Sequence, residues 1–340
     1  MKTLRITGLR DLQVMDEPKP EAGPGEVLLQ LHYVGFCGSD LNTYLGRNTM
    51  AKPDVVPGHE IGATVAALGA GVPADAFLVG EVVTVNPYTN CGTCPSCRNL
   101  RANACQRNET LGVQRDGAMR EFIAVPWQKV IPVQKIALRD CALIEPMSVG
   151  FHAVARAQVT DTDTVVVLGC GMVGLGAVVR AVQRGATVIA VDLSQEKLDL
   201  AKSLGARHGI NSTEDDILAK VMELTDGMGA DVVIEAVGSP ITYVSAIDAV
   251  SFTGRVVCIG YAKADVAFQT KYFVQKELDI RGSRNAMPDD FRAVIRYLQG
   301  TEVPLDRLVS GVVSPEEAKD AMEKWAAAPG KVFRILVKWS

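Results

Sequence analysis

Residues 90–105 read NCGTCPSCRNLRANAC, which places Cys91, Cys94, Cys97 and Cys105 in a short loop rich in Gly, Pro and Asn. Four thiolates at this C-x2-C-x2-C-x7-C spacing can converge at about 2.3 Å on one tetrahedral zinc, a closed structural site with no position left for a substrate. The competing reading is two disulfides, which requires an oxidising compartment. The opening MKTLRITGLRDLQV is charged from its second residue and holds no apolar signal-peptide stretch, so a reducing, cytoplasmic setting is expected.

A second constellation lies upstream. Cys37 stands in VGFCGSD, residues 34–40, and Gly58-His59-Glu60 follows. A soft thiolate and an imidazole form a borderline pairing that suits zinc better than magnesium or calcium. Glu60 and the distant Glu145, in IEPMSVGFHA, each offer a carboxylate oxygen. Two or three protein ligands with room beside them for water or a substrate oxygen describe a catalytic zinc. Taken singly these residues carry little weight, because a lone Cys is commonly a small core residue and a lone His near a turn is commonly just hydrogen-bonded. His32, His152 and His208, the remaining histidines, read as structural or supporting groups.

The third feature is a phosphate-binding turn in its required setting. Thr164–Leu168 is a short β-branched run, followed by Gly169-Cys170-Gly171-Met172-Val173-Gly174, an apolar helix, and a second strand over residues 187–191 that ends in Asp192. Glycines let the backbone approach a pyrophosphate, and the helix N-terminus turns unpaired N–H groups and partial positive charge toward it. Asp192 is placed to accept hydrogen bonds from the adenosine ribose. A 2′-phosphate would meet a carboxylate there, and Leu193 stands where an arginine could serve it, so NAD is expected over NADP. The candidate cofactor-binding residues are Gly169, Gly171, Met172, Val173, Gly174, Asp192 and Lys197. The alternative is a glycine turn that packs a helix on a sheet with no ligand.

These sites need a large scaffold. The chain has 340 residues, 48% hydrophobic and 22% charged, enough for about two domain cores. A net charge of -4 leaves no basic stripe for a phosphate backbone, which argues against nucleic acid as a partner. The longest apolar stretch, residues 165–179, contains four glycines and stops at Arg180, too short to span a bilayer. Beyond Asp192, amphipathic patterns built on Leu198, Ala201 and Leu204, then on Ile217, Leu218, Val221 and Leu224, stop near Gly205 and Gly227. They alternate with β-like runs at 232–235, 256–259 and 278–282. That rhythm predicts the α/β class with a doubly wound parallel sheet over residues 148–286. Residues 1–147, with short runs at 26–33, 63–68, 81–86 and 121–125, read as an irregular β-barrel-like domain that carries the cysteine lobe at about 88–108. Residues 287–340 are expected to form two helices, one opening at Asp289 and one at the capping box Ser314-Pro315-Glu316-Glu317. A last strand over 331–338 then returns to the first domain. Cys141, Cys170 and Cys258 lie in apolar runs and read as buried reduced thiols.

In this order, the Cys37 segment, Gly58-His59-Glu60, the four-cysteine lobe, Glu145-Pro146 and the GxGxxG turn resemble the zinc-containing medium-chain alcohol dehydrogenases over essentially the whole chain. Glu145, where the alcohol dehydrogenases proper carry a zinc-binding cysteine, makes the chain more similar to the sorbitol and threonine dehydrogenase branch. Gly282-Ser283-Arg284-Asn285-Ala286, with Pro288 and Phe291, is similar to bacterial sugar-acid 5-dehydrogenases of L-galactonate and L-gulonate. The resemblance implies a Rossmann domain beside a GroES-like catalytic domain, two zincs per chain, NAD as hydride acceptor and a homodimer or homotetramer. In its terms Cys37, His59 and one of Glu60 or Glu145 hold a zinc that makes a secondary alcohol more acidic, while Ser39 takes the alcohol proton.

Two positions depart from the family pattern. Asn42 stands where a histidine often ends the proton relay, so the proton must leave through water or another group. Ala63 replaces a usual glycine, which implies a slight backbone adjustment. For a carboxylate-bearing substrate, Arg284 and Asn285 with Tyr44, Arg47, Asn48 and Arg115 are the candidate contacts, against the plainer reading that the arginines make structural ion pairs. Beside a sugar-acid or polyol dehydrogenase stand two alternatives: a threonine or short-diol dehydrogenase, and a catalytically silent NAD-binding sensor.

Overall fold

In the computed structural model, which describes residues 1–300 and 303–339, the chain divides into two compact units: residues 1–145 with 291–340, and residues 146–290. The chain passes between them inside two helices, Ile144–Ala157 and Pro288–Gly300. No helix among the described residues is long and apolar enough to cross a membrane.

The first unit is built on a sheet whose neighbours run Gly311–Val313, Ile335–Lys338, Glu26–Phe36, Glu60–Leu68, Val82–Val85 and Val130–Pro132, with Phe122–Pro126 also paired to Glu26–Phe36. Glu26–Phe36 is the hub. Its alternate residues Val27, Leu29 and Leu31 are wholly buried against Ile61, Ala63, Val65 and Val83, the period-two pattern of a strand with a core face. The ladder bulges at His32, where Leu31 faces Ala63 and Tyr33 faces Gly62. Two endings differ from expectation. Ser314 and Glu317 do pair, through Ser314 N–H and Oγ to Glu317 Oε2 at 2.8 and 3.0 Å, but they close a turn and the helix is Ala318–Ala327. The last strand is Ile335–Lys338, shortened by a helical turn at Pro329–Lys331, and it pairs antiparallel with Glu26–Phe36.

The second unit is a six-stranded parallel sheet in the order His208–Asn211, Thr187–Asp192, Thr164–Leu168, Ala230–Glu235, Val250–Cys258, Asp279–Gly282. Taken in chain order that is 3-2-1-4-5-6, a doubly wound arrangement whose direction reverses between Thr164–Leu168 and Ala230–Glu235. Residues 165–168 and 232–234 of those two strands are continuous runs of buried Val, Leu and Ile, as expected where both faces of a sheet are covered. Cys141 and Cys170 are buried as expected; Cys258 is half-buried beside Tyr243.

Candidate functional site

Three neighbouring strands of the first unit deliver one buried cluster. Glu26–Phe36 ends at Phe36 and hands over Cys37; Glu60–Leu68 begins just after His59; Ile335–Lys338 begins just after Arg334. Ligand atoms of Cys37, His59 and Glu60 lie within 4.8 Å of one another. The register makes this possible, because Gly35 faces Glu60 and a Cβ at Gly35 would fall 2.2 Å from Glu60 Oε2. Only glycine leaves the carboxylate room to lie across the hub strand.

Asp40 fixes the approach of the two ligand segments. It is fully buried, three residues after Cys37 in the helix Gly38–Tyr44, and accepts from Cys37 N–H at 2.8 Å and from Gly58 N–H at 3.4 Å. Gly58 itself has φ +95 and abuts Met119 and Val34, so it turns the chain where a side chain would not fit. Arg334 donates to the Phe36 carbonyl at 2.6 Å and sets its Nε 3.0 Å from Glu60 Oε2. Glu145 opens the helix Ile144–Ala157, is buried, and accepts a hydrogen bond from the Tyr88 hydroxyl. It does not join the tight group of Cys37, His59 and Glu60.

The electrostatics of this pocket are those of a place made for a cation. Asp40, Glu60, Glu145 and the Cys37 thiol all act on Arg334, the permanent positive charge of this group among the described residues. Burial pushes Asp40 up, and only part of that is offset by His59 and the two N–H donors. Burial also drives Glu60 well above the carboxylate range; Arg334 opposes it, while Cys37 and Glu145 add to it. Cys37 and His59 resist burial together: each favours the charged form of the other, so the thiol is lowered and the imidazole raised. His59 Nδ1, both Glu60 carboxylate oxygens and Ser39 Oγ are buried with no hydrogen-bond partner among the described residues. Unpaired buried acceptors are costly and rare, and a soft sulfur, an imidazole and a carboxylate are a zinc donor set. The residues fit the metal, and this group could hold zinc.

The cysteine lobe forms a second such group. Sulfur separations of 3.5 Å for Cys94 to Cys97, 3.8 Å for Cys94 to Cys105 and 3.6 Å for Cys105 to Cys91 match the roughly 3.8 Å edge of a tetrahedron with 2.3 Å metal–sulfur bonds. All four are free thiols, which removes the disulfide reading. Pro95 starts a single helical turn, and left-handed Gly92 and Leu100 fold the loop back. Ser96 and backbone N–H groups draw Cys94 down to about 5, and similar donors led by Thr93 draw Cys91 to about 7, whereas burial and the neighbouring Cys94 push Cys97 up to about 11, so in the absence of a metal the lobe favours the thiolate at Cys94 and Cys91 and the thiol at Cys97.

In the second unit, Gly169 has φ +93, Gly171 caps the helix Met172–Gln183, and a Cβ at Gly174 would fall 1.8 Å from Gly169 O. Gly171 has open space above it. Met172 is buried, so what it can present to a ligand is backbone; Val173 is half-buried. Asp192 accepts from Cys170 N–H at 2.7 Å and from Ser194 N–H at 3.0 Å, tying the strand end to the glycine turn. Lys197, on the helix Gln195–Ser203, is buried and acts electrostatically on Cys170. A dinucleotide pyrophosphate fits this cradle.

The substrate candidates are scattered. Tyr44 is a correction: it is wholly buried and donates its hydroxyl to Glu323 at 2.6 Å, so it is a core residue seated on the helix Ala318–Ala327. Its place three residues after Leu41 on one apolar helix face was the signal for this. Asn48 donates to Thr43 Oγ1 at 3.0 Å, and Arg47 is exposed. Arg115 is half-buried at the base of the cysteine lobe, near the Pro87 carbonyl at 3.4 Å. Arg284 and Asn285 lie after Asp279–Gly282 in the second unit, half-buried and with interactions of their own; Asn285 is left-handed at φ 55. His152 meets Asp290 at 2.9 Å and His32 meets Thr64 at 3.0 Å. Arg334, Asp40 and Tyr88 were missed. Cys37-x-x-Asp40 has the spacing of a capping box and could have exposed Asp40; nothing local marks the other two.

Comparison with known proteins agrees with this geometry. Residues 23–135 match the alcohol dehydrogenase GroES-like domain, and residues 173–300 match the zinc-binding dehydrogenase domain. The chain is 33% identical to sorbitol dehydrogenase of Bacillus subtilis, covering 99% of this chain and 97% of the relative. It is 32% identical to L-galactonate-5-dehydrogenase of Escherichia coli K12, covering 86% and 85%, and 32% identical to L-threonine 3-dehydrogenase of Pyrococcus abyssi, covering 99% and 97%. A crystal structure of an alcohol dehydrogenase of E. coli CFT073 complexed with NADH superposes with a TM-score of 0.91 at 28% identity, covering 100% and 99%. A zinc-binding dehydrogenase of Sinorhizobium meliloti bound to NADP gives 0.92 at 28%, covering 99% of each chain. The chain therefore belongs to the zinc-containing medium-chain alcohol dehydrogenases, oxidoreductases that act on CH–OH groups.

Proposed function

We propose that this enzyme oxidises a secondary alcohol of a sugar acid of the L-galactonate or L-gulonate type, with NAD in preference to NADP. The observation that carries the reaction is the buried Cys37, His59 and Glu60 group, three donors within 4.8 Å in which His59 Nδ1 and both Glu60 oxygens have no hydrogen-bond partner among the described residues. When bound, zinc supplies the Lewis acidity that makes an alcohol hydroxyl acidic, and NAD supplies the hydride acceptor. Cys37 and His59 hold the metal from two strand ends that Asp40 locks together. Glu60 or Glu145 completes the set. Ser39 Oγ, buried and unpartnered, takes the alcohol proton. Asn42 cannot carry it further, so the proton leaves by water.

Asp192 supports NAD, since a carboxylate at the ribose repels a 2′-phosphate. The Arg284-Asn285 pair and the identity to the L-galactonate enzyme support a sugar acid. A neutral polyol or L-threonine is the second reading, favoured by relatives of equal identity. Free thiols at every described cysteine support a reducing, cytoplasmic location. The position of Asp279–Gly282 at the edge of its sheet supports pairing across a two-fold axis in a homodimer or homotetramer. The test is a panel of hexonates, uronates, hexitols and threonine with NAD and NADP, followed by absorbance of the reduced nicotinamide. Hexonate oxidation with NAD at the highest kcat/KM is expected, whereas a hexitol or threonine ahead of every hexonate would replace this reading.

A further inference from the structure

We propose that Tyr88 is a positioning residue for the reactive centre: its hydroxyl fixes the Glu145 carboxylate and so decides which of Glu145 and Glu60 completes the ligand set beside Cys37 and His59. The inference rests on the reading of that cluster as a metal centre. Two buried carboxylates compete for one place, and each has its own restraint. Arg334 attracts Glu60 by charge without a directed hydrogen bond, which leaves both Glu60 oxygens able to ligate. Tyr88 donates a hydrogen bond to Glu145 Oε1, and Glu145 stays outside the tight donor group.

Tyr88 is itself held from several sides. Its N–H donates to Asn86 Oδ1 at 3.2 Å, its backbone bridges to Thr110, and Leu111 N–H donates to the adjacent Pro87 carbonyl at 3.1 Å. Its ring meets Phe291 edge-on, with centroids 6.5 Å apart at 67°. Pro87, Tyr88, Thr110 and Leu111 are the two feet of the cysteine lobe. The lobe, closed by its four thiolates, therefore fixes the tyrosine, and the tyrosine fixes the carboxylate. This gives a closed structural site a defined effect on the reactive one.

The test uses full-length enzyme, wild type and Tyr88→Phe, with three readouts: zinc content, the visible d–d spectrum after cobalt(II) replaces the reactive metal, and competition with a chelator. Both proteins should carry two metals. In Tyr88→Phe the released Glu145 carboxylate can compete with Glu60 for the place beside Cys37 and His59, so the cobalt bands should change in energy or intensity and the affinity of that site should change by about tenfold, the size of effect that groups behind a metal's ligands commonly have. In a Glu145→Gln background, Tyr88→Phe should add nothing further, because the tyrosine acts through that carboxylate. Should Tyr88→Phe fail to fold, Glu145→Asp withdraws the carboxylate by one methylene and should shift the same bands. Unchanged bands and affinity in the variant that folds, or an equal effect in the Glu145→Gln background, would overturn the proposal alone. A wild type holding metal only in the lobe would overturn the metal centre with it.

Discussion

Arg334 Nε lies 3.0 Å from Glu60 Oε2 with its N–H directed elsewhere, so two buried opposite charges attract without sharing a hydrogen bond. The arginine is oriented instead by its 2.6 Å bond to the Phe36 carbonyl. Replacing it with Met removes the permanent counter-charge that Glu60, Asp40 and Glu145 share. Removing one partner of a buried pair costs about 3–5 kcal/mol. Arg334→Met should lower the denaturant midpoint of metal-free protein accordingly, and less in the zinc-loaded form. An unchanged midpoint would show that the pair is not a stabilising element.

Asp40 holds the Cys37 and Gly58 backbones. An asparagine can keep one of those bonds but turns its amide donor toward the other N–H. Asp40→Asn should therefore weaken zinc binding at the reactive site by roughly 10–100-fold with the lobe zinc retained, measured by chelator competition. Retention of full affinity would remove Asp40 from the account.

Asp192 makes two backbone hydrogen bonds at the glycine turn and would face the ribose. Asp192→Ala should raise the Kd for NADH, read by nicotinamide fluorescence, and narrow the preference for NAD over NADP, while both zincs remain. Equal preference in wild type and variant would assign discrimination to other residues.

Asp116 accepts from Val56 N–H at 3.1 Å and faces Lys52 at 3.3 Å and Arg5 at 3.4 Å. Burial opposes its charge, but the N–H and the two cations outweigh burial and hold the carboxyl below its ordinary value of 3.8. A folded pKa below the unfolded one means the native state binds the proton less readily. The stabilisation is complete above the unfolded pKa and is lost as pH falls through the lower folded value. Asp116→Asn should cost about 1 kcal/mol near neutrality in this partly exposed site, and the gap between the two proteins should close in acid. A gap that persists in acid would show that packing, not charge, is responsible.

Much of this architecture was written locally. The lobe, the Cys37 and His59 segments and the glycine turn each rest on residues close in sequence, and the parallel sheet follows from alternating periodicities that run uninterrupted to Gly282. What escaped is carried by long-range pairing. Arg334 reaches Glu60 because the last strand returns beside Glu26–Phe36, a register no local pattern encodes. Tyr88 meets Glu145 only after the lobe folds back on Thr110. Tyr44 differs from the candidate contact because the helix that covers it, Ala318–Ala327, lies far along the chain. The strand expected from residue 331 starts at Ile335, because Pro329 and Gly330 keep the preceding turn helical.

A reactive metal between Cys37 and His59 is the centre of the proposed chemistry. Elemental analysis of wild type and Cys37→Ala, with NAD reduction measured on the same samples, tests it directly. Two zincs per chain are predicted in active wild type, and one zinc with turnover abolished in the variant. Two zincs retained in Cys37→Ala, or one zinc with turnover intact, would contradict it.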